Sequence, residues 1–97
     1  MRTISLDTEK LITICRENDV SMLGVFGSVA RGDATEQSDI DLLVKFSKRK
    51  GLLALVRLER VLSEALERKV DLLTEAAISP YIRENILKDL QVLYGSP

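Results

Sequence analysis

Histidine is absent from the 97 residues, which removes both the commonest general base and the commonest zinc ligand. The single cysteine, Cys15, has no partner for an internal disulfide, excludes a structural zinc site and fits a reducing cytosol. Chemistry in this chain therefore falls to oxygen, from carboxylates, hydroxyls and backbone groups, the donors that suit Mg²⁺, Mn²⁺ or Ca²⁺. Aromatic residues make up only 4%, so the core drawn from the 45% hydrophobic fraction must be mainly Leu, Val and Ile. No signal-peptide core and no run long enough for a membrane span occur, and the sequence reads as cytoplasmic, with no membrane partner. A formal net charge of −1 supplies no global attraction to nucleic acid, and no direct nucleic-acid contact is expected. The length suits one domain over residues 1–97, so a bulky co-substrate must dock on its surface.

What is present is a small α/β pattern. Leu6, Leu11, Ile14 and Cys15 recur at helical spacing over about 5–18, with Ser5 or Asp7 as cap. Residues 22–26 are apolar on both faces, as in a strand covered by helices. Residues 28–31 make one helical turn closed by Gly32, and 33–38 form a polar loop. A second strand runs over about 39–46, where Ile40, Leu42, Val44 and Phe46 alternate with Asp39, Asp41, Leu43 and Lys45. The longest helix spans about 52–68, with Leu55, Leu58, Leu62, Ala65 and Leu66 as its buried stripe. A third strand covers 70–74. Ser79-Pro80 opens a last helix burying Ile82, Ile86 and Leu90, and Val92-Leu93-Tyr94 reads as a short apolar tail. The expected class is α/β (α+β), a small mixed sheet with flanking helices in the order α-β-α-β-α-β-α. Its first two strands pair antiparallel, and the second and third lie parallel across a helical crossover.

The chain is organised around residues 27–42. Asp39 and Asp41 lie on one strand face, roughly 7 Å apart along the backbone, and the sheet places Asp71 on the same side. Three converging carboxylates repel unless a cation neutralises them. Two ions about 3.5 to 4 Å apart, held by bridging carboxylates, serve an in-line phosphoryl displacement. Asp39 and Asp41 are the candidate bridging metal ligands. Asp71 is the third ligand and the base for an acceptor hydroxyl. Gly27 lets the backbone approach a phosphate, and Ser28 offers amide and hydroxyl at a helix start. Blander roles stand beside these: Asp39 and Asp41 as solvated charges, Asp71 pairing with Lys69 or Arg31, Ser28 as a cap. Arg31 either ties down the 33–38 loop or meets a phosphate, and Lys45 with the Lys48-Arg49-Lys50 cluster is either a solvated loop or an aid to holding triphosphate or an RNA-bound partner.

Gly27-Ser28 followed by Ala30-Arg31-Gly32, then Ser38-Asp39-Ile40-Asp41-Leu42 and Asp71 in Val-Asp-Leu-Leu, resembles the motif of the minimal nucleotidyltransferases. These are the smallest members of the DNA polymerase β-like superfamily, many of them antitoxins paired with HEPN-domain toxins. The resemblance implies an Mg²⁺-dependent transfer (two ions, Mn²⁺ as a substitute) of AMP from ATP to a hydroxyl, a tyrosine of the partner toxin. It also implies nucleotide contacts at Gly27, Ser28, Arg31 and Ser38, and a complex with the toxin. Two other functions remain open: an antitoxin that neutralises by binding alone, and a regulator that binds ATP without turnover.

Overall fold

The computed structural model describes residues 8–35 and 37–96. In order these form α1 (Thr8–Glu17), β1 (Val20–Phe26), α2 (Gly27–Arg31), β2 (Ile40–Phe46), α3 (Leu52–Leu66), β3 (Val70–Thr74), a 3₁₀ turn (Glu75–Ala77), α4 (Pro80–Asp89) and β4 (Gln91–Gly95). The sheet order is β3-β2-β1-β4. β1 is antiparallel to both β2 and β4, while β2 and β3 run parallel as the crossover through α3 requires. The cap expected at Ser5 or Asp7 lies outside the described residues, as does Leu6.

Two apolar layers sandwich the sheet. On one side Ile40, Leu42 and Val44 of β2 pack with Leu11 and Cys15 of α1 and Leu58 and Leu62 of α3. The face that carries the aspartates is also covered: Leu43 is 1% exposed and packs with Met22, Phe26, Ile78 and Ile86 under α4. The alternation in β2 thus has a dry half and a polar end on the same face. Burial pushes the Cys15 thiol up to about 11, so Cys15 serves as a small apolar core residue.

β1 reaches both layers through an irregularity. Its register with β2 shifts between Val20 and Met22, so Ser21 is an extra residue whose hydroxyl donates to the Lys45 carbonyl at 3.2 Å. The insertion puts Val20 and Leu23, three apart, in the same layer, and leaves Met22 and Phe26 for the other.

Several elements depart from the sequence expectation. The apolar tail at 92–94 is a fourth strand, β4, so the order is not α-β-α-β-α-β-α but ends in β; β4 pairs along β1 from Val25 opposite Gln91 to Met22 opposite Gly95. α3 stops at Leu66 rather than near 68, because Glu67 turns left-handed (φ 54) and the Arg68 amide bonds back to the Ser63 carbonyl at 3.2 Å. Ile82, expected in the core, is 47% exposed.

The β3 edge is closed by α3. Ser63 Oγ accepts from the Val70 amide at 3.2 Å and Glu59 Oε2 from the Leu72 amide at 3.0 Å, which removes donors that would recruit another strand. Glu59→Ala strands a partly buried amide and should cost about 1–2 kcal/mol in chemical denaturation, with Glu59→Gln recovering most of it.

Candidate active site

The site forms where β1 ends and β2 and β3 begin. Phe26 pairs with Asp41, and Asp41 in turn pairs with Asp71 across the parallel ladder, so the two acids sit side by side at the inter-strand spacing of about 4.8 Å with side chains on one face. Both are half-buried. The Asp41 carboxyl is pushed above the ordinary carboxylate range, first by burial, then by the charges of Asp71 and Asp39, with Arg31 pulling the other way. Asp39, one step before the strand, therefore belongs to the same electrostatic cluster, although one of its oxygens lies 3.7 Å from Lys69 Nζ. Lys69, weighed as a partner of Asp71, is a partner of Asp39 instead.

Gly27 is the hinge of this arrangement. Its φ of 72° is left-handed, and a Cβ there would drive into Oδ2 of Asp41. Ser28 follows in the first turn of α2, whose start has no side-chain cap. Gly32 closes α2 with φ 79°, as its position suggests.

Arg31 Nε meets Asp33 at 3.3 Å and its Nη1 meets Asp89 of α4 at 3.1 Å, tying α2 to the loop and to the last helix while the side chain stays half exposed. Ser38 faces into the loop: its hydroxyl accepts from the Thr35 amide at 2.9 Å, and its carbonyl takes a bond from Arg68, which also holds the Thr35 carbonyl. Ser38 thus fixes the chain just ahead of Asp39. The basic cluster lies elsewhere, since Lys48 and Lys50 pair with Asp19 at the opposite end of the sheet.

A cavity of about 470 Å³ opens between α2 and α4, within the range of small-ligand sites. Gly27, Ser28, Arg31 and Asp41 line one wall. The other wall comes from α4, through Ile82, Asn85, Ile86 and Asp89, which share one helical face by their spacing. These α4 residues escaped the sequence reading, which treated the helix only as core; Asn85 and Asp89 interleaved with the isoleucines were the available signal.

Among the described residues no group of three or more histidine, cysteine, aspartate or glutamate side chains is gathered so as to hold a metal ion as it stands. The donor chemistry nevertheless suits a hard cation. All three candidates are carboxylates, and Asp41, raised first by burial and then by the charges of Asp71 and Asp39, stands where a divalent ion would favour its ionised form. Asp39 would have to leave Lys69 to join the set.

The sequence profile of a family described as nucleotidyltransferase domain matches residues 8–93. A Methanocaldococcus jannaschii protein, provisionally named a protein adenylyltransferase, is 44% identical over 80 residues, 82% of this chain and 86% of its own length. The Thermococcus cleftensis protein adenylyltransferase MntA is 38% identical over 71 residues, 73% of this chain and 72% of its own. A crystal structure of a toxin-antitoxin with AMP-PNP contains a similar chain, with TM-score 0.81 and 27% identity over 94% of this chain and 75% of that one.

Proposed function

This chain belongs to the nucleotidyltransferase domain family, and from that premise we propose that it acts as an antitoxin by transferring AMP from ATP to a tyrosine hydroxyl of a HEPN-domain toxin. The observation that carries the reading is the pairing of Asp41 with Asp71 beside the Gly27 turn, at the mouth of a cavity of nucleotide size. Relatives named as adenylyltransferases and a similar toxin-antitoxin chain with AMP-PNP support it.

In this reading Asp39, Asp41 and Asp71 would together hold Mg²⁺, with Asp39 turned away from Lys69. Bound Mg²⁺ supplies charge neutralisation among the acids and polarises the phosphate oxygens. Gly27 brings the backbone against the triphosphate without a side chain in the way, and Ser28 donates from its amide and hydroxyl. Arg31, released from Asp33 and Asp89, meets phosphate charge as a planar donor. Ser38 sets the position of Asp39. Asp71 accepts the proton of the tyrosine hydroxyl as its oxygen attacks the α-phosphorus and pyrophosphate leaves.

The test is to incubate the chain with ATP, Mg²⁺ and the toxin encoded beside it, and to follow the toxin's intact mass. One or more AMP additions are expected, lost when Asp39 and Asp41 are both changed to alanine. Neutralisation that survives in that double variant without mass gain would show inhibition by binding alone. Mg²⁺-dependent ATP binding with no pyrophosphate release from the wild-type pair would show a nucleotide-binding regulator.

A further inference from the structure

The α4 wall of the cavity carries one polar group with no assignment. Asp89 is engaged by Arg31, Ile86 is buried in the second core layer, and Ile82 stands beside the opening, 47% exposed. Asn85 lies between the two isoleucines on the same face, and among the described residues its amide has no hydrogen-bond partner. The residues from Ile82 to Asp89 span about 10 Å along the helix at 1.5 Å per residue, enough to lie alongside a nucleoside whose phosphates are held at the Gly27 wall.

We propose that Asn85 reads the nucleobase, its carboxamide pairing with the edge of adenine while Ile82 packs against the ring. Oδ1 would accept from the exocyclic 6-amino group and Nδ2 would donate to the adjoining ring nitrogen, the two-point pattern an asparagine makes with adenine. Apolar contact together with one donor–acceptor pair is the usual composition of a small-ligand pocket. The inference rests on the phosphate-site reading above and adds the residue that distinguishes ATP from its triphosphate alone.

Dissociation constants in Mg²⁺ separate the two layers of the argument. Three probes suffice: ATP, purine riboside triphosphate, which lacks the 6-amino group, and inorganic tripolyphosphate. Wild-type protein should bind ATP about fivefold more tightly than purine riboside triphosphate, the worth of one neutral hydrogen bond. In Asn85→Ala the two nucleotides should bind equally, while tripolyphosphate affinity and melting temperature stay at wild-type values. Persistent discrimination in Asn85→Ala, or no discrimination in the wild type, would overturn the role of Asn85 and leave the phosphate site standing. Failure of ATP and tripolyphosphate alike to bind wild-type protein would overturn the phosphate-site reading and this inference with it.

Discussion

Asp41→Asn should lower AMP transfer by on the order of a thousandfold while raising the melting temperature of the metal-free protein. The loss follows because the amide keeps the carboxylate's size but not its charge, and one preorganised electrostatic contact to a reacting centre is worth about 10²–10³ in rate. The gain follows from the surroundings of Asp41, where burial and the charges of Asp71 and Asp39 oppose ionisation. Because the folded carboxyl titrates above the unfolded value of about 3.9, the native state holds this proton longer. Below both values Asp41 contributes no pH dependence. As pH rises through the interval between them, the unfolded chain releases the proton first and stability falls, and the full cost is present above the folded value. Melting temperatures of wild type and Asp41→Asn should therefore converge in acid, separate as pH rises, and run parallel near neutrality. A constant offset across the range would refute the electrostatic account. Mg²⁺ with ATP should raise the melting temperature of the wild type and leave Asp41→Asn nearly unmoved, since stabilisation by a ligand requires that it bind.

Gly27→Ala is the second large effect, and it combines two independent penalties. A left-handed alanine costs about 1–2 kcal/mol, and the added methyl group collides with the Asp41 carboxylate. Together a loss of about 2 kcal/mol or more is expected, lowering the melting temperature by about 10 °C in a domain of this size. AMP transfer should fall with it, because Asp41 is the atom group that must move. A double-mutant cycle separates the terms. In an Asp41→Ala background the carboxylate is gone and only the backbone strain remains, so Gly27→Ala should cost about 1 kcal/mol there. An equal cost in both backgrounds would show that the steric contact has no energetic weight.

The parts of this arrangement that were legible beforehand share a local signature. The alternation Ile40, Leu42, Val44 marks a strand within its own length, and Ser79-Pro80 announces a helix start that the structure completes with a bond from the Tyr81 amide to Ser79 Oγ at 3.3 Å. The antiparallel and parallel pairings followed from connection lengths. What escaped depends on distant neighbours. Three apolar residues at 92–94 carry too little periodicity to declare a strand, and β4 exists because β1, far earlier in the chain, offers it an edge. Leu43 shares a face with Asp41, and nothing within β2 says that α4 covers one and leaves the other at an opening. The basic cluster at 48–50 looked available for phosphate, yet the direction of β2 carries it to the far end of the sheet. The α4 wall was hidden for the same reason: a helix reports its apolar stripe in sequence, but not what faces the rest of it.

The parallel ladder between β2 and β3 has a bearing on how the chain is made. Asp41 and Asp71 become neighbours only after α3 has carried the backbone across and β3 has docked, a non-local step that comes late in the assembly of such units. Their mutual repulsion is therefore nearly absent while the polypeptide is still collapsing. A growing chain can form β1, β2 and the α3 contacts before it meets the repulsion between these two acids.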